Sequence, residues 1–540
     1  RKVAQAVESL SEDIANISKR GELEEIPGVG EHIAKKIEEF VKTGKIKYYQ
    51  KLKREIKVDI EELKGIPALG PKKIKLLYKK LGIKNIKDLE KAIKKGKLQK
   101  LVGFGEKTSQ SLAEGIQILK DRPKRFLYIH AQPIVKEITE KLNELPEVKQ
   151  IEVAGSFRRG KETVGDLDFL VVSKKPEVVM RTFTSLPEVK KIIAKGRTKS
   201  SIRLDNGLQV DLRVVQEKEF GSALLYFIGN KQHNIELRKI ALKQGYTLSE
   251  YGLFAVKNKK WIAGKYEQDV YKKLGLQFIE PELRENMSEI SAAQKNRLPH
   301  LITTKDVKGM FHNHSNWTDG NHTLLEMAKK AEELKWKFIS FNDHFGPIGI
   351  THPLNEKRLK NYLKEIEKVR KKVGLRVFSG VEIDILKNGS LPLSPKKLKE
   401  LDVVVASVHL GGKMDREEMT QRVVNVLENY PVNILGHPTS RLLNKREPIK
   451  INLEKVFSVA KQNDIFVEIN GAPKRMDLAG EQVKAMLASG CKGAISTDAH
   501  DRNHLAYSYL GVLSARRGWA EKKDILNSWS LPKIEKALRK

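Results

Sequence analysis

Six times in the C-terminal half of this chain an apolar run ends on a histidine or an acid. The runs are GMFHNHSNWTDG (309–320), FISFNDHF (338–345), RVFSGVEIDI (376–385), VVVASVHL (403–410), VNILGHP (432–438) and GAISTDAH (493–500). Helix-like stretches separate them. Apolar strands that alternate with helices bury themselves as a parallel sheet, and polar residues at every strand end suit a closed α/β barrel with its site at the strand C-termini. Nine of the thirteen histidines fall between His312 and His504. One such histidine is more often structural than functional, but a set repeated at successive strand ends is not a chance arrangement. His312-x-His314 directs two imidazoles to one face of a strand. Nitrogen and carboxylate donors without thiolates suit Zn²⁺ or Mn²⁺, and a cluster of two or three such ions activates water against a phosphodiester. Cys491 is the only cysteine, which excludes an intrachain disulfide and a thiolate zinc site and fits a reducing cytoplasm.

The N-terminal part carries a repeat. Ile26-Pro-Gly-Val-Gly30, Ile66-Pro-Ala-Leu-Gly70 and Leu101-Val-Gly-Phe-Gly105 are each flanked by helix-like runs, the unit being helix, Gly-rich hairpin, helix. Gly28, Gly30, Gly70, Gly103 and Gly105 allow positive φ and close backbone approach, so that amides at the start of the second helix can face a phosphate, with Lys72 and Lys73 adding charge. Such contacts grip a nucleic-acid backbone without reading its bases. A formal charge of +34 supports a polyanionic partner, whereas a lysine-rich solvated surface is the bland alternative. No run is long and apolar enough to suggest a membrane span.

Between these regions lies IEVAGSFRRGKETVGDLDFL (151–170). Residues i and i+2 share one face of a strand, so Asp166 and Asp168 project together, where their repulsion calls for a cation. Asp211, in the strand-like LQVDLRVV (208–215), is a third candidate, and three carboxylates on adjacent strands can hold two Mg²⁺ ions. Gly155-Ser156 forms a tight strand-to-helix turn able to hold phosphate oxygens. Arg158 and Arg159 follow as charges for a triphosphate. A solvated acidic pair at a strand end is the competing reading of D-x-D alone.

GSFRRGKETVGDLDFL resembles the palm signature of the family X DNA polymerases, the group that includes DNA polymerase beta. EIPGVGEHIAKKIEEFVKTGK (25–45) resembles the family's template-binding domain, and FGSALLYFIGNKQHNIELRKIALKQGYTLSEYGLF (220–254) its nucleotide-selecting subdomain. The resemblance implies a catalytic, metal-binding triad of Asp166, Asp168 and Asp211. It implies nucleotide contacts from Gly155, Ser156, Arg159, Gly165, Tyr226, Phe227, Gly229, Asn234 and Arg238. Lys36 matches the position of a lysine that forms a Schiff base in some members, though a helix lysine is most often only solvated. The histidine region resembles the PHP (polymerase and histidinol phosphatase) domain, a distorted seven-stranded barrel. Motif by motif, that likeness implies the metal ligands His312, His314, Asp319, His344, Glu382, His409, His437, Asp498 and His500. Asp343 and Asp384 are candidates to orient them.

The expected protein is therefore multidomain, α+β and α/β. It has a helix-hairpin-helix DNA-binding domain (1–60, with an N-terminus that reads as incomplete) and a second helical subdomain with two hairpins (61–123). A nucleotidyltransferase palm (124–215), a thumb-like nucleotide-selecting subdomain (216–285), a polar linker (286–305) and a (β/α)7 PHP barrel (306–540) follow. The expected activity is DNA-directed DNA polymerisation in gap filling and base excision repair, with Mg²⁺ or Mn²⁺ at the palm. The barrel adds metal-dependent 3′-5′ exonuclease and, as an open question, AP endonuclease activity, using Zn²⁺ or Mn²⁺. The expected partners are gapped or primer-template DNA and dNTPs, and the expected state is a cytoplasmic monomer. Untemplated nucleotide addition, and a DNA-tethered PHP phosphatase with one inert half, are the alternatives.

Overall fold

The computed structural model describes residues 14–539 apart from 27–28, 47, 49–62, 64–65, 67–68, 70, 102–103, 106–107, 114–115, 117–124, 348–350 and 412–413. It divides into two units, Arg1–Lys124 and Arg125–Lys540. Among the described residues no helix is long and apolar enough to cross a membrane.

In the first unit the three hairpins share one device. Val29 N donates to Ile26 O, Leu69 N to Ile66 O and Phe104 N to Leu101 O, at 2.9–3.1 Å. The residue closing each turn is buried, so each hairpin is fastened from below by its own apolar side chain. Helix Glu31–Thr43 then starts at Gly30, whose carbonyl accepts Ile33 N and Ala34 N. Gly105 O likewise accepts Thr108 N and Ser109 N. Positive φ is not what these two glycines supply: Gly30 lies at φ −106°, and Gly105 is not in that region either. Among the described residues a Cβ at either would meet nothing within 4 Å, so these two positions leave room for close approach. Gly28, Gly70 and Gly103 lie outside the described residues, as does the side chain of Lys72.

The second unit begins with a five-stranded sheet in the order Val148–Val153, Asp166–Ser173, Gln209–Val215, Lys199–Leu204, Val189–Lys195. Strict alternation in Gln209–Val215 buries Val210, Leu212 and Val214 and leaves Gln209, Asp211 and Arg213 on the other face. Its pairing with Asp166–Ser173 is the one parallel pairing in this sheet, with Asp168 opposite Asp211. A smaller sheet, Tyr246–Ser249, Gly252–Ala255 and Trp261–Ala263, follows helices Phe220–Ile228 and Lys231–Lys243. Residues 286–305, expected as a linker, pack instead. Helix Glu289–Gln294 buries Glu289, which lies 2.7 Å from the buried His233 Nδ1, while Leu298 and Leu301 join the neighbouring apolar core. Glu289 thus serves a buried pair, while Gln294, Lys295 and Arg297 of the same stretch face solvent.

The last region is a closed parallel barrel of seven strands: Gly309–Asn313, Phe338–Phe345, Arg376–Asp384, Val403–Ser407, Ile434–Leu435, Phe466–Asn470 and Gly493–Ala499. Phe466–Asn470 is the strand missing from the six runs read in the sequence. Phe311, Phe338 and Phe378 fill the lower barrel, and the final helix Leu531–Leu538 packs Ile534 and Leu538 against them as a floor. Asn527 donates to Gly309 O and Ile495 O, both at 2.9 Å, and Asn433 donates to Leu538 O at 2.7 Å. Amides thus complete the hydrogen bonding where the strands end.

Candidate active sites

The palm cleft holds about 870 Å³ and is lined by Gly155, Ser156, Arg159, Asp166, Asp168, Tyr226, Phe227, Gly229, Asn234 and Arg238, among others. Sequence reasoning had named all of these. Gly155 sits at φ +64°, and a Cβ there would lie 2.7 Å from Asp168 Oδ2; only glycine lets the turn close over the aspartates. Gly165 faces Arg125 Nη1, 3.4 Å from where a Cβ would stand. Burial, and then the neighbouring charge of Asp211, push the Asp166 carboxyl up. Burial with Asp166 and Asp211 pushes Asp168 up to about 7. Three converging carboxylates, two of them disfavoured as anions by burial and by each other's company, are a donor set for divalent cations.

The two arginines separate. Arg159 lines the cleft, donating to Glu285 Oε1 at 2.9 Å and to Ile228 O. Arg158 pairs with Glu152 at 3.0 Å and is absent from the lining. Arg213, two residues beyond Asp211, reaches Glu250 at 3.4 Å and lies 5.2 Å over the Phe227 ring. Its charge is thereby held by the thumb-like subdomain. Asn234 donates to Tyr226 O at 2.7 Å, and Arg238 Nε to Asn234 O at 3.3 Å, so both are tied to the helices flanking Gly229. Sequence reasoning missed Arg125, Lys161, Glu250 and Glu285. Only Lys161, a cation five residues after Ser156, left any signal.

In the barrel, Glu382 is the hub. Its Oε1 lies 3.3 Å from His312 Nε2, 3.2 Å from His409 Nε2 and 3.0 Å from His437 Nε2. Its Oε2 lies 2.9 Å from His344 Nδ1. Asp498 Oδ1 is 3.2 Å from His314 Nε2, and Asp319 reaches His344 at 3.5 Å and His500 at 3.3 Å. All nine predicted residues therefore meet at the strand C-termini. Three groups bring one donor atom per residue within 4.8 Å of one another: His314, Asp319, His344 and His500; His312, His314 and Asp498; His344, Glu382 and His409. His437 joins through Glu382.

Both rings of the His-x-His pair do face this centre, but through a bulge. The register shifts between Met310 and Asn313, and His312 takes φ +56° with its amide donating to Asn342 Oδ1 at 3.1 Å. His437 (φ +22°) and Asp498 (φ +49°) are likewise in the left-handed region, a concentration of backbone strain at one site. Buried His314 Nδ1 and His437 Nδ1 have no hydrogen-bond partner among the described residues. Burial opposes protonation of His344 and His409, yet Glu382 holds them up to about 10 and about 9, and Glu382 itself is well below its ordinary range. Positive charge is thus favoured among these donors, and the nitrogen-carboxylate set suits divalent cations.

Asp384 Oδ1 lies 2.6 Å from His409 Nδ1. Asp343 instead accepts from Ser315 and Thr318 and fixes the loop after the first strand. Glu468, missed in the sequence, lies 2.6 Å from His312 Nδ1 and also accepts from Ser496 Oγ and the His437 amide. An acid inside the apolar FVEIN was its only signal. In the first unit Lys36 is exposed, with its Nζ 5.1 Å from the Tyr48 ring centroid, and Lys73 lies 5.7 Å over Phe104.

A sheet with paired aspartates under a thumb-like subdomain, joined to a histidine-lined parallel barrel, defines a two-site protein of phosphoryl-transfer chemistry. Family descriptions agree region by region: "DNA polymerase beta palm" matches 130–225, "DNA polymerase beta thumb" 223–285 and "PHP domain" 311–472. "Helix-hairpin-helix domain" matches 1–46 and "SAM-like Helix-hairpin-helix tandem" 60–117. Asp498 and His500 lie beyond the PHP match and are brought in by the seventh strand. The chain is 33% identical to the "DNA polymerase/3'-5' exonuclease PolX" of Bacillus subtilis, over 99% of this chain and 94% of that one. It is 27% identical to DNA polymerase lambda of Rattus norvegicus, over 52% of each, and 30% identical to a probable phosphatase of Thermoanaerobacter sp., over 36% of this chain and 80% of that one. The chain belongs to the family X DNA polymerases, in the PolX branch that joins a polymerase-beta-like core to a PHP domain.

Proposed function

We propose that this enzyme fills short gaps in DNA during repair, extending a primer 3′-hydroxyl in the palm and removing mispaired or blocked 3′ ends in the barrel. The observation that carries the reading is that one chain holds two donor clusters, three aspartates on a parallel strand pair and Glu382 with eight further ligand-type side chains about it. Asp166, Asp168 and Asp211 would hold Mg²⁺ or Mn²⁺, while Ser156 and Arg159 bind and orient the triphosphate. In the barrel the nine residues would hold Zn²⁺ or Mn²⁺, with Glu468 and Asp384 keeping His312 and His409 in place. Bound metal supplies charge neutralisation and an activated oxygen nucleophile at each site. The open hairpin turns and the net charge of +34 support DNA as the partner. The reading keeps the expected division into regions as part of the proposal, with 286–305 assigned to the packed body rather than to a linker.

The test is a primer-template assay with Mn²⁺, with and without dNTPs, resolving longer and shorter products together. Templated extension with dNTPs and shortening without them are expected. Extension that ignores the template base would favour an untemplated transferase.

A further inference from the structure

Residues 160–162, directly after Arg159, belong to the palm and pack against the barrel region. Gly160, at φ +67°, packs so tightly on the barrel that a Cβ would lie 2.5 Å from Leu513 Cδ1. Glu162 is nearly buried, its Oε1 2.8 Å from Arg517 Nη1 and 3.4 Å from Arg441 Nη2. Arg517 ends helix Ser508–Arg517 and is 1% exposed. Arg441 is fixed in turn by donating to Arg475 O at 2.9 Å and to Met476 O. On the palm side, Glu162 O accepts Tyr128 N and Ser156 O accepts Lys161 N, both at 3.0 Å. The barrel therefore grips this segment at its middle, between Arg159 and Asp166, which both line the cleft together with Lys161.

An ion triad of this kind could serve only to join two domains. Other contacts already do so: Tyr509 donates to Gln132 at 2.5 Å, and Arg516 pairs with Glu282 at 2.8 Å. Glu162 differs in lying within the cleft wall itself. Burial opposes its ionisation, yet Arg517 and Arg441 hold its carboxyl down at about 2. Removing one member of such a buried set leaves the others uncompensated.

We propose that Glu162 is a positioning residue for nucleotide binding: through Arg517 and Arg441 the barrel holds segment 159–163, and with it Arg159 and Lys161, at the wall of the palm cleft. The inference rests on the nucleotidyl-transfer reading of that cleft. It makes the barrel part of the polymerase's substrate site as well as the holder of a second site.

The experiment compares Glu162→Gln, Arg517→Met, their double variant and Tyr509→Phe in the full chain. It measures KM and kcat for dNTP at saturating primer-template, with thermal melting as the check on folding. Glu162→Gln is expected to raise the dNTP KM about tenfold with kcat within about twofold, as for a small misplacement of a binding group. Arg517→Met should do the same, and the double variant should be no worse than the worse single one, because the two share one interaction. Tyr509→Phe, at the same interface but away from the segment, should keep the wild-type KM. Should Glu162→Gln not fold, Glu162→Asp must still raise KM. An unchanged KM in a folded Glu162 variant, or an equal rise in Tyr509→Phe, would overturn the proposal. Wild-type protein that extends no primer would instead remove the palm reading itself.

Discussion

Asp211 and His437 each belong to one site only, so single substitutions separate the two chemistries. Asp211→Ala should reduce primer extension at least about a hundredfold and leave end degradation intact, and His437→Ala should do the reverse. Loss of both activities in either folded variant would contradict the two-site assignment. Asp168 carries a pH signature. Burial and its two acidic neighbours raise its pKa from 3.8 to about 7, so the metal-free folded state holds this proton more tightly than the unfolded one does. The stability it contributes is complete below its ordinary pKa and is lost as pH rises through about 7. A cation must displace the proton. The Mn²⁺ concentration for half-maximal extension should therefore rise about tenfold per pH unit below about 7 and level off above it. A flat dependence from roughly pH 5.5 to 8 would count against carboxylate ligation there. Individual ligands were legible because i, i+2 spacing and strand-end histidines are local patterns. Glu468 and Glu285 were not, since each acts on a partner far away in the chain: His312 for the first, Arg159 for the second.

Among the elements, the strand Asp166–Ser173 could be read from its alternation, but its pairing could not. Setting Asp168 opposite Asp211 depends on which of the neighbouring strands lies beside it, and the parallel choice within an otherwise antiparallel sheet comes from the whole sheet's burial. The fifth and sixth barrel strands show the same limit. Ile434–Leu435 is two residues long, and Phe466–Asn470 ends in no histidine, so one was found by its ligand and the other not at all. The floor helix Leu531–Leu538 was invisible as a floor, because its apolar face matches that of any amphipathic helix. Ile534 is fully buried against the barrel's phenylalanines. Ile534→Ala should cost about 3 kcal/mol of barrel stability, within the range for large-to-small core changes. On heating, end degradation should fail before primer extension does. Simultaneous loss of the two activities would show that the barrel and palm unfold together.

For the whole molecule, composition foretold a polyanionic partner, and the hairpins pointed to its backbone as the part gripped. Binding through phosphates releases counterions, so the KM for primer-template should climb steeply with salt, by about a thousandfold from roughly 50 to roughly 200 mM for six contacts. The dNTP KM, set inside the palm cleft, should move far less. Parallel rises in both would mean that salt acts on the active site and not on the DNA grip. The order of regions was legible because each carries its own motif. The seating of palm on barrel was not, since Glu162, Arg441 and Arg517 belong to no recognisable pattern.

The floor helix also bears on how the chain is made. Palm strands and their aspartates leave the ribosome some three hundred residues before Ile534 and Leu538, which close the barrel from below. During synthesis the palm's strands and aspartates are therefore present while the nuclease is still an open-ended stack of strands and Glu162 still lacks Arg517 as a partner. Both trimming and a fully held nucleotide site are then acquired only when the floor arrives, so a translation product cut short ahead of Leu531 would lack its corrector and bind dNTP less tightly.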